Sequence, residues 1–74
     1  MKPEPFEIKS YGRTQLALMY SPDITPESAW KKLRKWINHF PGLKKTLSDL
    51  GYTGTERSFT PLQVAAIVEA IGTP

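Results

Sequence analysis

The hydrophobic positions of this chain recur at helical spacing in four segments, which proline and glycine separate. The first segment, residues 13–20, predicts a short helix that ends before Pro22, because proline disfavours helical geometry in the residue that precedes it. Ahead of it, residues 6–9 ("FEIK") alternate apolar and charged side chains, the pattern of a short half-buried strand. We expect this strand to pair with a second strand near Phe59.

The second segment has the strongest helix signal and predicts a helix over residues 25–40. Thr25 can cap its first turn, and Pro26 at the first helical position sacrifices no hydrogen bond. At about 100° per residue the apolar side chains share an arc of roughly 120°, with polar and basic side chains opposite. The apolar set is Ala29, Trp30, Leu33, Trp36, Ile37 and Phe40, with Trp36 at the edge of the arc.

Two further helices complete the predicted fold. Residues 43–51 predict a shorter third helix that Gly51 ends. The fourth helix covers residues 60–71, and Thr60 followed three residues later by Gln63 fits a capping box. Because this helix is apolar nearly all round, it needs cover on more than one side, either as a central core helix or against a partner or second copy.

These elements predict a mainly α fold: a compact four-helix domain with a helix-turn-helix-like arrangement and a minimal two-stranded β pairing. We expect residues 1–5 to form a flexible tail and residues 6–74 to form a single helical domain. A chain of 74 residues buries only about 60 to 65% of its unfolded surface, so aromatic side chains must supply much of the core. The predicted core is Phe6, Ile8, Leu16, Met19, Ala29, Trp30, Leu33, Ile37, Phe40, Leu47, Leu50, Phe59, Val64, Val68 and Ile71.

Positive charge is concentrated in one part of the chain. The formal net charge is only +3, but six of the ten basic residues fall within residues 31–45. No acidic residue lies between Glu27 and Asp49. A local positive field of this kind attracts polyanions, whereas net charge alone mainly affects solubility.

A short helix, a break and a second helix with a basic outer face form the arrangement of a helix-turn-helix. The chain resembles that family in residues 16–17 ("LA"), residues 24–29 ("ITPESA") and Leu33. It departs at the turn, where Ser21 replaces the usual glycine and residues 22–23 lengthen the connection by two. The resemblance implies a small DNA-binding or regulatory module whose interhelical angle depends on this longer turn.

On this hypothesis the basic face of the second helix contacts double-stranded DNA. Side chains in its early turns reach base edges in the major groove, while other cations neutralise phosphates. The residues assigned to the DNA groove are Glu27, Ser28, Lys31 and Lys32, with Lys35 and Asn38 further along. Those assigned to phosphates are Arg13, Arg34, Lys44 and Lys45, with Arg57 on a wing-like loop.

Other interpretations of the same residues stay open. A protein-interaction or self-associating adaptor module would use the apolar helix 60–71, with another protein or as a homodimer. A run of lysine and arginine on an amphipathic helix is also, most often, only a solvated face. Membrane binding by residues 30–40 is disfavoured, because Leu33 and Ile37 would leave the core at about 1.5 to 3 kcal/mol for each large side chain.

Signals for catalysis, cofactors and metals are weak. His39 has no second histidine at metal-ligand spacing, the chain has no cysteine, and its carboxylates are scattered over different elements. Residues 51–54 ("GYTG") lack the Gly-Lys-Ser/Thr of a phosphate loop. We therefore expect the protein to have no enzymatic activity and to bind neither a cofactor nor a metal. The chain shows neither an apolar leader nor 18 consecutive apolar residues, which favours a cytoplasmic protein.

The whole chain also resembles a family of short Bacteroides-type bacterial proteins classed as a domain of unknown function. The resemblance covers about residues 6–74, from "FEIKSYGRTQLALMY" through "ITPESAWKKLRKWI" to "GYTGTERSFTPLQVAAIVEAIG". Because no activity is assigned to that family, the resemblance supports the domain limits and supplies no function.

Overall fold

The computed structural model describes residues 6–74, which form four helices and two short strands. In chain order the elements are β1 (Tyr11–Gly12), α1 (Arg13–Tyr20), α2 (Pro26–His39), α3 (Leu43–Asp49), β2 (Ser58–Phe59) and α4 (Pro61–Ile71). The strands pair antiparallel, with Tyr11 opposite Phe59 and Gly12 opposite Ser58. The predicted mainly α fold with a two-stranded pairing is confirmed. The predicted flexible tail, residues 1–5, lies outside the described residues.

The N-terminal strand lies at Tyr11–Gly12, so its predicted position at residues 6–9 is wrong. Residues 6–9 have no regular secondary structure, and Ile8 is 45% exposed. Phe6 instead stacks on the Tyr11 ring, with 5.3 Å between ring centroids. Phe6 therefore anchors this part of the chain through an aromatic contact. The alternating apolar and charged residues 6–9 do not pair with another strand.

The position of β1 follows from its place directly before α1. The Arg13 N–H, at the start of that helix, donates to the Arg57 carbonyl at 2.8 Å and continues the strand pairing into the first helical turn. Gln15 Oε1 accepts from the Gly12 N–H at 3.2 Å and helps to begin α1. The helix ends at Tyr20, where the Ser21 N–H donates to the Ala17 carbonyl at 2.9 Å.

Helix α2 begins and ends where its sequence predicts, within one residue at each end. Thr25 Oγ1 accepts from the Ser28 N–H at 3.3 Å, and Pro26 and Glu27 occupy the first turn, where a carboxylate complements the helix dipole. Phe40 is already extended, with φ −76° and ψ 122°, because Pro41 follows it.

Helix α3 ends at Asp49, two residues before the end of the predicted segment 43–51, and Gly51 is the helix stop as predicted. Gly51 adopts a φ of +91°, a left-handed conformation that favours glycine. The Tyr52 N–H then donates back to the Leu47 carbonyl at 2.9 Å, which satisfies a carbonyl at the helix end. This reversal turns the chain from α3 into the loop that leads to β2.

The core lies where the four helices meet β2. Seven predicted core side chains are buried: Leu16, Ala29, Leu33, Ile37, Leu47, Phe59 and Val64. Five more are partly buried: Phe6, Trp30, Leu50, Val68 and Ile71. The prediction is wrong for Ile8, Met19 and Phe40, which are 45%, 39% and 42% exposed, and it omits the buried Tyr11, Ala17, Leu43 and Ile67. Met19 faces outward because α1 turns Leu16 and Ala17 to the core, and Phe40 lies just beyond the end of α2.

One buried amide joins α4 to α3. Gln63 is 3% exposed, and its Oε1 accepts from the Thr60 N–H at 3.0 Å, while Thr60 Oγ1 accepts from the Gln63 N–H at 3.3 Å. These reciprocal bonds confirm the predicted capping box. The Gln63 Nε2 donates to the Leu50 carbonyl at 3.1 Å, so the same side chain also satisfies the end of α3.

Replacing this amide should destabilise the domain. Gln63→Met keeps the length of the side chain but leaves the Thr60 N–H and the Leu50 carbonyl without their partners. We expect a loss of about 1 to 3 kcal/mol in the free energy of unfolding, measured by urea denaturation. Gln15→Met is the control, because Gln15 is exposed and accepts only one bond, from the Gly12 N–H, so its cost should be smaller, about 0.5 to 1 kcal/mol. Equal losses in the two variants would contradict the bridging role.

Candidate nucleic-acid interface

The outer side of α2 presents a row of exposed cations, which we call the basic face: Lys31, Lys32, Arg34 and Lys35. Within residues 6–74 the ion pairs are Lys9–Glu7 at 3.7 Å and Lys45–Asp49 at 3.9 Å. No carboxylate in this part of the chain therefore neutralises the basic face. Its charges are available to an external anion.

The opposite side of α2 fixes the basic face in place. Ala29, Leu33 and Ile37 are 1%, 1% and 3% exposed and pack into the core. At the edge of the basic face, the Lys32 ammonium lies 5.2 Å from the centroid of the Trp36 ring. A cation–π contact of this kind orients the lysine without neutralising its charge.

The first turn of α2 places the other residues predicted to enter the DNA groove. Glu27 and Ser28 are both exposed, as is Asn38 near the other end of the helix. The Thr25 hydroxyl donates to Ser28 Oγ at 2.9 Å, so this serine already takes part in capping the helix. All six predicted groove residues thus lie on the solvent side of a single helix.

The predicted phosphate contacts divide into two further groups. The Arg13 guanidinium lies over the Trp30 ring, 5.2 Å from its centroid, and the backbone bond to Arg57 holds these two arginines beside the strand pair. Lys44 and Lys45 are exposed on α3, where Lys45 pairs with Asp49 across one helical turn. Only Arg34 belongs to the basic face itself.

A cleft adjoins the basic face, and the sequence did not predict it. It has a volume of about 580 Å³ and lies between α2, α3 and the loop of residues 51–55; we call it the α2–α3 cleft. Its polar and aromatic lining includes Trp30, Arg34, Asn38, Lys44, Ser48 and Tyr52. Tyr52 carries no signal in the sequence that would join it to α2, because only the turn after α3 brings it to the cleft, whereas Ser48 lines the cleft from α3 itself.

The loop that closes this cleft is held by one carboxylate. Glu56 accepts hydrogen bonds from the backbone N–H groups of Thr53, Gly54 and Thr55 at 3.0 to 3.1 Å, and from the Thr53 hydroxyl at 2.9 Å. These bonds, led by that from the Thr53 N–H, lower the pKa of Glu56. The wing-like loop predicted from the sequence is therefore ordered by its own acidic residue.

Acidification should release this loop. Because the folded-state pKa of Glu56 lies below its ordinary value of 4.5, the stabilisation is complete above that value and is lost as the pH falls through the folded-state pKa. The protection factors of the amides of residues 53–55, which are corrected for intrinsic exchange, should fall over that window, and Glu56→Gln should remove this pH-dependent fall. Glu69→Gln on α4 should leave it in place. An unaltered pH profile in Glu56→Gln would show that another group orders the loop.

The remaining chemistry of the described residues is sparse. No helix within residues 6–74 is long and apolar enough to cross a membrane. The same residues contain no group of three or more histidine, cysteine, aspartate or glutamate side chains that could hold a metal ion. The features that stand out are the basic face and the adjoining α2–α3 cleft.

These features define a small, mainly helical domain with one capped basic helix. The chain belongs to the family described as a domain of unknown function, DUF4248, whose model matches residues 7–74. The resemblance to a domain of unknown function is thereby confirmed. Neither the curated proteins nor the solved structures contain a match to this chain.

Proposed function

We propose that this protein binds double-stranded DNA through the basic face of α2, as a small cytoplasmic regulatory module. The observation that carries the proposal is the set of four exposed cations on one helix, none neutralised by a carboxylate within residues 6–74. Such charges gain free energy by releasing counterions from DNA phosphates. Because α2 is already folded, little backbone freedom is lost on binding, so less of this gain is offset.

The dimensions of α2 support an approach to the major groove. Its 14 residues span about 21 Å, and its first turn, with Glu27 and Ser28, is exposed beside Lys31 and Lys32. Lysine can donate to guanine in the major groove, and glutamate can accept from cytosine. We assign these four side chains to base edges, with Lys35 and Asn38 further along the helix.

The phosphate contacts in this proposal come mainly from elements next to α2. Arg13 and Arg57 lie beside the strand pair, and Lys44 and Lys45 lie on α3. Arg34 belongs to α2 and would contact the phosphates next to its own helix.

Anisotropy of a labelled mixed-sequence duplex, measured at about 50 and 200 mM salt, tests the proposal. The four cations of the basic face, taken alone, predict a salt slope near −3.6 and a loss of affinity of at least roughly 150-fold over this range. Absence of binding at the lower salt concentration would refute the proposal. Binding that does not change with salt would also refute it, because phosphate contacts could not then dominate.

A protein-interaction or self-associating role is the second candidate. Leu62 on α4 is 68% exposed, and Phe40 is 42% exposed beside a shallow, mainly apolar cleft lined also by Trp36, Ala70 and Ile71. Most of α4 is used differently, since Val64 and Ile67 are fully buried in the core. An interface would therefore involve only the exposed edge of this helix.

Light scattering after size-exclusion chromatography tests the second candidate. If the protein self-associates through α4, Leu62→Glu and Ala70→Glu should each reduce the measured mass to that of a monomer while the circular dichroism spectrum is retained. Ile67→Glu should instead unfold the domain, because it places a charge in the core. If the wild-type protein is a monomer at high concentration, self-association is excluded. The exposed edge of α4 could then bind only a different protein.

A further inference from the structure

The α2–α3 cleft has the size of a small-molecule site. Its volume of about 580 Å³ falls within the roughly 300 to 1,000 Å³ that ligand pockets occupy. Ile37 and Leu47 give it an apolar floor, since both are buried side chains that also line it. An occupant would therefore meet both apolar and polar walls.

The charge of this cleft is positive. Arg34 enters its wall from α2 and Lys44 from α3, and neither forms an ion pair within residues 6–74. Among the described residues that line it, none is acidic. The nearby Glu56 is engaged by the backbone of the loop, and Asp49 is paired with Lys45. Two cations on facing helices favour an anion between them.

Two aromatic side chains form another part of the wall. The Tyr52 ring stacks on the buried Phe59, with centroids 5.1 Å apart and 27° between the planes. Trp30 contacts the same phenylalanine at 6.1 Å, so Phe59 holds both rings from behind. Each ring is only partly buried, and fixed rings of this kind are surfaces on which a nucleobase stacks, at Trp30 on the face that the Arg13 guanidinium leaves free.

Free hydrogen-bonding groups complete the lining. Within residues 6–74 the side chains of Asn38 and Ser48 make no hydrogen bond to another protein group, and both line the cleft. The Thr53 and Thr55 hydroxyls contact each other at 2.9 Å on the opposite side. The Asn38 amide and the Ser48 hydroxyl can form hydrogen bonds with the edge of a polar ligand, while the ordered loop supplies a fixed wall.

We propose that the α2–α3 cleft binds one nucleotide unit, with the phosphate between Arg34 and Lys44 and the base against Trp30 and Tyr52. The inference deepens the proposed function and rests on it in one respect, since both assign Arg34 and Lys44 to phosphates. The ligand is different from the double-stranded DNA of the proposed function, because a base stacked in the cleft must be unpaired. The unit comes either from a free nucleotide or from a single strand, which share this chemistry.

Amide chemical shifts of the ¹⁵N-labelled protein test this site. Adenosine 5′-monophosphate and a single-stranded deoxyadenosine hexamer are the nucleotide probes, and adenosine and inorganic phosphate separate the two halves of the ligand. We expect the monophosphate or the hexamer to shift the resonances of Ser48, Tyr52 and the Trp30 indole. Binding of both identifies a free nucleotide as sufficient, and binding of the hexamer alone identifies a strand as the source.

Two exposed lysines provide a pair of variants. Lys44→Ala should weaken nucleotide binding by at least about fivefold, whereas Lys9→Ala should not, because Lys9 does not line the cleft and pairs with Glu7. Equal weakening in the two variants would overturn the proposed site. It would also be overturned if neither nucleotide probe shifts these resonances at millimolar concentration, or if inorganic phosphate alone reproduces the full effect.

The same experiment separates the two proposals. Lys31 and Lys35 do not line the cleft, so reversing their charges should remove duplex binding and leave the shifts caused by nucleotide in place. Nucleotide binding without duplex binding would refute only the proposed function. Duplex binding without nucleotide binding would refute only the cleft.

Discussion

The Lys31→Glu/Lys35→Glu variant should lose duplex binding and keep its fold. Loss of two cations of the basic face, each of which neutralises DNA charge, predicts affinity lower by roughly 60-fold at 0.1 M salt, before any repulsion from the new carboxylates is added. Both side chains are exposed and unpaired within residues 6–74, so the free energy of unfolding should change by no more than about 0.5 kcal/mol each. Duplex anisotropy and thermal denaturation measure the two quantities separately.

Charge-preserving and position controls make this result interpretable. Lys31→Arg/Lys35→Arg should retain most of the affinity, because the cations stay in place. Lys9→Glu reverses a charge outside α2 and should have a smaller effect than either single reversal on the basic face. Unchanged affinity in the double reversal would exclude the basic face as the DNA contact, whatever the protein binds elsewhere.

The second large effect concerns stability. Phe59→Ala should cost about 3 to 5 kcal/mol, because Phe59 is 0% exposed and its removal opens a cavity behind Trp30 and Tyr52. A domain of 74 residues has a total free energy of unfolding of about 4 to 11 kcal/mol. The loss therefore removes roughly a quarter to all of this free energy, and at the lower end of the range the variant should be partly unfolded at 25 °C.

Urea denaturation of a short series measures this loss. Phe59→Leu keeps most of the volume and should cost less than Phe59→Ala. Leu62→Ala removes a large apolar side chain that is 68% exposed and should change the free energy of unfolding by no more than about 0.5 kcal/mol. A loss in Phe59→Ala as small as that in Leu62→Ala would show that Phe59 does not organise the core.

The helices were predictable because local chemistry fixes their limits. Arg13–Tyr20 agrees at both ends with the prediction, and the caps of α2 and α4 use side chains within three residues of the helix start. The strand at Tyr11–Gly12 was missed because its position depends on Phe59, far along the chain. Alternation in residues 6–9 carries no information about such a partner.

The same distinction applies to the candidate sites. The basic face follows from helical periodicity, so the exposure of its cations was predictable from spacing alone. The α2–α3 cleft was not, because it requires the turn at Gly51 to bring Tyr52 against Phe59. A weak signal was present in residues 51–56 ("GYTGTE"), where an acidic residue follows threonine and glycine, a composition that favours bonds from backbone N–H groups to a nearby side chain.

Amide chemical-shift mapping with a mixed-sequence duplex at about 50 mM salt tests DNA binding by the basic face most directly. The predicted perturbations are concentrated at residues 27–38 of α2, smaller at Arg13, Arg57 and α3, and reversed by about 200 mM salt. The resonances of Leu62 and its neighbours on α4 should not move. Perturbations centred on α4, or none at any residue, would contradict DNA binding by α2.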